Sequence, residues 1–318
     1  MPDPRVSVIL PVYNVAPFVR AACDSVLSQS WTDLELIVID DGSSDGTRRE
    51  IEHIRDERIM LSCQQHSGIA AARNAGLRRA RGQLIAFMDG DDVWLAGKLQ
   101  QDVAHLDALP EADLVFSAVR MVDVAGRDTG RTIRRWSGVL TLRDLLIENM
   151  IAANTVLMRR EACERTGCFD EELRAASDYD YWLRLALLGA GNLHGSPRVS
   201  TLYRRRPGQL TGKWEQQKEA WERIMAKMRL RCPDELAAIE RFSWANFRRA
   251  LAAYAYESGD VPSAVRLFRQ ALGRAPGFLL KDSRTWLLGS AILSARLLPR
   301  GLHRKLEAAV KTARASRP

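Results

Sequence analysis

The sequence predicts an α/β fold: a mostly parallel sheet with helices on both faces, followed by a helical C-terminal region. Three short apolar runs, at 6–12, 34–40 and 84–88, are bounded by turn residues, as buried strands of a parallel sheet are. Helical patterns lie between them, and from Trp214 onward the spacing is helical. Strand, helix, strand in this order implies right-handed crossovers and a doubly wound sheet, with its ligand at the C-terminal edge of the strands.

The elements follow in order. "VSVILPV" is the first strand, and "APFVRAACDSVLSQ" is a helix with Pro17 near its start, where a missing N–H costs nothing. "LELIVID" is the second strand, and "SDGTRREIEHI" opens on capping residues, with Ser43 or Ser44 as the expected cap. "GIAAARNAGLRRA" is a helix rich in Ala and Leu, leading into the strand "LIAFM". After residue 112 the alternation loosens. "ADLVFSAVRMVD" reads as a strand, "TLRDLLIENM" as a short helix, "SDYDYWLRLALLGA" as a helix capped by Ser177, and "RVSTLYRRR" as a late strand. "RRALAAYAYESGDVPSAVRLFRQALGRAPG" has the small residues, Gly-Asp turn and closing Pro of one tetratricopeptide-like helix pair. The last stretch, "TWLLGSAILSARLLPRGLHRK", is apolar and then basic, and suits either a core helix or one lying in a membrane interface. The expected domains are 1–212 and 213–318.

With 318 residues and 46% hydrophobic content, the chain belongs to the globular class. The N-terminal residues show no basic region leading into an apolar signal core, and no run of about 18 uncharged apolar residues occurs. Five cysteines form no CxxC pair, so a reducing cytoplasm is the expected compartment. The net charge of +8 is uneven: residues 1–202 hold 23 Lys and Arg against 29 Asp and Glu, whereas residues 203–318 hold 24 against 10. Such a tail is suited to anionic lipid or nucleic acid, or is a solvated helical surface.

The chemistry gathers at strand ends. The first strand ends at Tyr13 and Asn14, the second at Asp40 and Asp41, and "LIAFM" runs into Asp89, Asp91 and Asp92. In a parallel sheet these ends share an edge, and carboxylates crowded there repel one another unless a cation is present. Oxygen-only donors point to a hard ion, Mg²⁺ or Mn²⁺. Asp41-Gly42 and Asp45-Gly46 are also ordinary turn dipeptides. A turn needs one such residue, not the three of Asp89 to Asp92.

"VSVILPVYN", "LELIVIDDGSSDGT", "HSGIAAARNAGLRRARGQLIAFMDGDD" and "SDYDYWLRL" resemble, in order and spacing, the inverting family 2 of nucleotide-sugar glycosyltransferases, which have the GT-A fold. The likeness covers residues 5 to 206. It implies that Pro11, Tyr13 and Asn14 line the nucleotide base, that Asp41 hydrogen-bonds it, and that Arg73 contacts nucleotide or sugar. Asp89-Gly90-Asp91 resembles the DxD motif, in which Asp89 faces ribose or sugar and Asp91 binds the metal. Asp178 matches the general base; it also lies in the acidic first turn of a helix, where the dipole keeps it ionised. Arg206 stands where many relatives have a histidine, and its guanidinium can pair with phosphate but cannot coordinate a cation.

The resemblance implies an inverting transfer of a sugar, from a UDP-linked donor, to a glycan or lipid-linked acceptor in surface-polysaccharide or glycolipid assembly. The expected protein is cytoplasmic and peripheral at the inner face of an anionic membrane, with no nucleic acid as partner. Two alternatives stand beside it. A sugar nucleotidyltransferase needs a basic, Gly-rich loop after the first strand, and "PVYNVAPF" has neither Gly nor Lys. A catalytically silent binding module would fail to be stabilised by nucleoside diphosphate and ion.

Overall fold

The computed structural model describes residues 3–189, 192–209 and 212–298. In chain order the elements are β1 (Val6–Val12), α1 (Ala16–Leu27), β2 (Leu34–Asp40), α2 (Thr47–Glu52), β3 (Ile59–Cys63), α3 (Ile69–Arg79), β4 (Leu84–Phe87), β5 (Val93–Trp94) and α4 (Lys98–Asp107). They continue with β6 (Leu114–Val122), β7 (Asp128–Ile133), β8 (Gly138–Leu140), α5 (Leu142–Ile147), a 3-10 turn at Ala153–Thr155, β9 (Leu157–Arg159), α6 (Arg160–Thr166), α7 (Ser177–Leu188) and β10 (Leu193–Arg204). The rest is helical: α8 (Trp214–Arg231), α9 (Pro233–Glu257), α10 (Val261–Arg274), α11 (Pro276–Leu279) and α12 (Ser283–Leu297).

The chain forms two compact units. The first takes the described residues to Arg127, with Thr132–Leu142 and Met150–Arg204; the second takes Asp128–Arg131, Arg143–Asn149 and the described residues from Arg205 onward.

The strand order is β3-β2-β1-β4-β9-β6-β10-β5. Neighbours in β3-β2-β1-β4 are parallel, as are β6 and β10, while β9 runs antiparallel to both β4 and β6 and β5 antiparallel to β10. The sheet is therefore mixed, mostly parallel, and flanked by helices. β1, β2 and β4 are buried along their whole length, which is why they read as unbroken apolar runs. β3 is half-exposed at the sheet edge, and its "IMLSC" carries no comparable signal. The reversal of strand order at β1 and β4 is the place where ligands sit in open α/β sheets.

Two helix starts differ from the sequence expectation. α2 begins after Gly46, in the left-handed region at φ 94°, with no side-chain cap. Ser43 and Ser44 instead tie back to the turn after β1: the Ser43 hydroxyl accepts from the Asn14 N–H at 3.0 Å, and the Ser44 N–H donates to Asn14 Oδ1 at 2.9 Å. α7 starts one residue earlier than expected. Ala176, at φ 52°, takes the cap position and Ser177 is the first helical residue, its hydroxyl buried without a partner.

The second unit has its own apolar core, in which Leu251, Ala252 and Ala255 of α9 meet Ala264 and Leu267 of α10 and Ile292 of α12. The expected helix pair is α9 and α10. They join through Gly259 at φ 88° and Asp260, whose carboxylate accepts from the Ser263 N–H at 3.1 Å and so caps α10. Glu148 receives both guanidinium ends of Arg284, at 2.6 and 2.9 Å, which anchors residues 143–149 in this unit. The helix reading that ended at Ala190, Leu210 and Thr211 within "YRRRPGQLT", and the basic part of the tail past Leu298 lie outside the described residues.

Candidate active site

The site grows from the ends of β1, β2 and β4. At β1, Pro11 is the residue registered with Ile39 of β2, and Asn14 takes a left-handed backbone at φ 50° that turns the chain into α1. Tyr13 is exposed and stacks on the His66 ring, with centroids 4.0 Å apart and planes 19° from parallel. His66 Nδ1 lies 2.8 Å from Asp41 Oδ2.

Asp41 is more committed than the sequence indicated. Its carboxylate also accepts from Gln64 Nε2 at 2.7 Å, the Ser67 N–H at 2.9 Å and the Gly68 N–H at 2.8 Å. It thus organises the 64–68 loop, and through His66 it orients the Tyr13 platform. Asp40 does similar local work, accepting from the Ser43 N–H at 2.9 Å.

The turn after β4 holds the negative cluster. Gly90 is required for its close fit: a Cβ there would come within 2.9 Å of Val12 Cγ1 and 3.0 Å of Val15 Cγ2. Asp89 is half-buried and accepts from Arg73 Nη2 at 3.2 Å, while Arg73 is itself buried, with Nε unpartnered and its guanidinium 5.5 Å from the Phe169 ring centre. Burial raises the Asp89 carboxyl above its ordinary value; Arg73 opposes that, and the charges of Asp91 and Asp178 add to it. Asp178, whose charge adds to this shift, lies in the first turn of α7.

Asp92 has a clear structural role. It is buried, and its carboxylate accepts from the Arg204 backbone N–H at 2.8 Å and from Asn154 Nδ2. Burial first, then Asp91 and Asp89, push its carboxyl well up. The Arg204 side chain returns the contact, with Nε donating to the Asp91 carbonyl at 2.9 Å and Nη1 to the Val124 carbonyl at 3.0 Å, over the Phe18 ring at 5.0 Å. The acidic turn is therefore clamped by the end of β10 and by the 3-10 turn.

Behind Asp178, α7 is seated on aromatic side chains. Phe169 stacks on Tyr181 at 4.1 Å and meets Phe87 of β4 edge-on at 5.4 Å, and Phe87 also meets Trp182. Asn74, next to Arg73, fixes Phe169 from the other side: Oδ1 accepts from its N–H at 2.8 Å and Nδ2 donates to its carbonyl at 2.9 Å. Asp180, the other acid of the first turn, is buried in an ion pair with Arg184 at 2.8 Å.

Arg204, Asn154, Asn74 and His66 were not singled out from the sequence. Asn74 stands beside Arg73 in "ARN", and the third acid of "DGDD" hinted that something had to meet it, but the partners of Asp92 lie 62 and 112 residues away. Arg206 belongs to the second unit, where its N–H donates to Gln209 at 3.1 Å, so its assignment to the diphosphate rests on sequence.

Among the described residues no three His, Cys, Asp or Glu side chains are set to hold an ion by themselves. The cluster nonetheless fits one. Burial and the neighbouring acids raise Asp89 and Asp92, Arg73 is the cation paired to Asp89, and a divalent ion held by this turn would relieve the repulsion.

Comparison with known proteins bears on the family and the fold. The family described as Glycosyl transferase family 2 matches residues 7–167, half of the chain. The chain belongs to glycosyl transferase family 2. TuaG of Bacillus subtilis (strain 168), a glycosyltransferase named for teichuronic acid biosynthesis, is 33% identical over 225 residues, 69% of this chain and 86% of that one. The Escherichia coli enzyme WfgD, a UDP-Glc:alpha-D-GlcNAc-diphosphoundecaprenol beta-1,3-glucosyltransferase, is 43% identical over 107 residues, 33% of this chain and 42% of that one. An uncharacterized glycosyltransferase of Rickettsia prowazekii (strain Madrid E) is 29% identical over 57% of this chain, and the match spans 58% of its own length. Among solved structures, S. aureus TarS 1-349 in complex with UDP-GlcNAc superposes with a TM-score of 0.63 at 20% identity, covering 92% of this chain and 91% of that one. A Pyrobaculum calidifontis mannosyltransferase in complex with GDP-Man and Mn²⁺ gives 0.58 at 22%, covering 99% and 86%. These neighbours share the GT-A fold. The chain thus belongs with family 2 by sequence and with these neighbours by fold, and it spans a little over half the length of the Rickettsia prowazekii relative.

Proposed function

We propose that this glycosyltransferase moves a hexose from a UDP-linked donor to a hydroxyl of a glycan or lipid-linked acceptor, with inversion at the anomeric carbon. The observation that supports the reading is the Arg73–Asp89 pair at 3.2 Å at the end of β4, with Phe169 beside Arg73 and stacked on Tyr181 of α7, the helix whose first turn carries Asp178.

Each side chain then has a task. The Tyr13 ring, held by His66, offers a flat face to the base, and Arg73 steadies Asp89 toward ribose or sugar. Asp91 would hold the Mg²⁺ or Mn²⁺, whose contribution when bound is to offset charge on the diphosphate. Asp178 takes the proton from the acceptor hydroxyl as its oxygen bonds the anomeric carbon. The bond to the diphosphate breaks, and its electron pair leaves with the nucleotide. Arg206 is assigned to diphosphate oxygens on sequence grounds. The names of WfgD and TuaG support a lipid-linked or surface-polysaccharide acceptor. Work at the inner face of a membrane belongs to the same reading, since residues 203–318 carry 24 basic against 10 acidic residues.

The test is Asp178→Asn, assayed for sugar transfer and, separately, for UDP binding. Transfer should fall by about a thousandfold or more while the UDP affinity changes by less than about threefold. Transfer retained within about tenfold would remove Asp178 as the base.

A further inference from the structure

α12 is apolar on two opposite faces. On one, Ile292 and Leu288 join the core formed with α9 and α10. On the other, Trp286, Leu293 and Leu297 recur at spacings of seven and four, within about 40° of one another around a helix at 100° per residue. They are 60%, 57% and 68% exposed, and Leu287 beside them is 51% exposed. The sequence left a core helix and an interfacial helix as alternatives; the structure makes one face core and leaves the other to solvent.

We infer that this outward face of α12 seats the protein on an anionic bilayer. Size argues against a second protein chain. A helix of 15 residues is about 22 Å long and 10 Å wide, so one face offers roughly 220 Å², against the roughly 800 Å² per partner of a stable protein interface. A bilayer needs no complementary surface, only apolar side chains that reach the acyl boundary and cations that meet the headgroups. Both are present. The Trp286 indole N–H donates to the Leu280 carbonyl at 2.9 Å, which holds the ring at the helix's start; Lys281 precedes the helix and Arg296 lies about 80° around it from Trp286, whereas Arg284 is committed to Glu148 and Asp282. The sequence after Leu298 adds six Lys or Arg against one Glu. Charge and apolar area are each weak alone and sufficient together. This deepens the membrane part of the proposed function and is independent of the donor chemistry.

The test is co-flotation of the full chain with phosphatidylcholine vesicles, with and without phosphatidylglycerol, without donor or acceptor. Binding should be at least about tenfold tighter with phosphatidylglycerol and fall with salt. Leu293→Glu with Leu297→Glu should lower it by at least about tenfold, with melting temperature and UDP binding unchanged. Lipids brominated on the acyl chains should quench fluorescence in the wild type and less in Trp286→Phe. Equal flotation of wild type and the double variant would overturn the proposal. So would a concentration-dependent dimer abolished by the double variant, which would assign the face to a second copy. Loss of transfer in Asp178→Asn with flotation intact would separate the two readings.

Discussion

Arg204 illustrates how much of this site is held by residues that touch no donor. Its N–H satisfies Asp92, its side chain satisfies the Asp91 carbonyl, and the turn between β4 and β5 is fixed from both sides. Replacing it with Lys keeps the charge but loses the planar fork that reaches Asp91 and Val124 together. Arg204→Lys should therefore raise the divalent-ion concentration needed for half-maximal transfer by about tenfold or more, as outer-shell changes do. An unchanged ion dependence with a lower kcat would mean that the clamp serves the acceptor side instead. The acids were singled out by residue type and spacing and Arg73 by the family resemblance, and the structure sets Arg73 against Asp89 at 3.2 Å. Arg204 and Asn154 were not, because their roles arise from contacts across 112 and 62 residues and no local pattern records them. Asp41 shows the intermediate case: its place at the β2 end was readable, whereas its hold on Gln64, Ser67 and Gly68 appears only when β3 and the 64–68 loop return beside β2.

At the scale of elements, α3 does two jobs at once. Arg73 and Asn74 project to Asp89 and Phe169, and the helix must lie close on β1 for both to reach. Gly76 permits that approach, since a Cβ there would come within 2.3 Å of Ile9 Cγ2. Gly76→Ala should cost about 1–3 kcal/mol, read as a lower urea midpoint at unchanged slope, despite alanine's better helix propensity. A midpoint that rises would show that α3 can move off β1 freely. The fully buried strands β1, β2 and β4 were readable as apolar runs, while β9, three residues long and antiparallel, was not. What makes β9 a strand is the gap between β4 and β6, which the sequence does not display. The same holds for the start of α7. Ser177 has the composition of a cap, but Ala176 in the left-handed region turns the chain into the helix instead.

For the whole molecule, the crowded acids of the β4 turn make stability, pH and ion binding one problem. Burial and mutual repulsion raise Asp89 and Asp92 above the ordinary 3.8. A raised folded-state value means that the folded chain holds these protons more tightly than the unfolded chain. Their contribution to stability is complete below pH 3.8 and is lost as pH rises through the raised values. Glu35 works in the opposite sense. Burial raises it, but Ser7 and Arg81 outweigh that and hold it below its ordinary 4.5, so its stabilisation is present above pH 4.5 and is lost as pH falls through the lowered value. The wild-type curve mixes the two. The difference between melting temperatures with and without Mn²⁺ isolates the Asp89–Asp92 cluster, because Glu35 lies at a different part of the sheet and cancels. At neutral pH, Mn²⁺ with UDP should raise the melting temperature by several degrees, and the gain should shrink as pH falls toward 3.8 and protons replace the ion. In Asp91→Asn the gain should be lost at every pH while Glu35's acid limb stays where it was. A wild-type gain that does not change with pH would mean that the ion binds away from these acids.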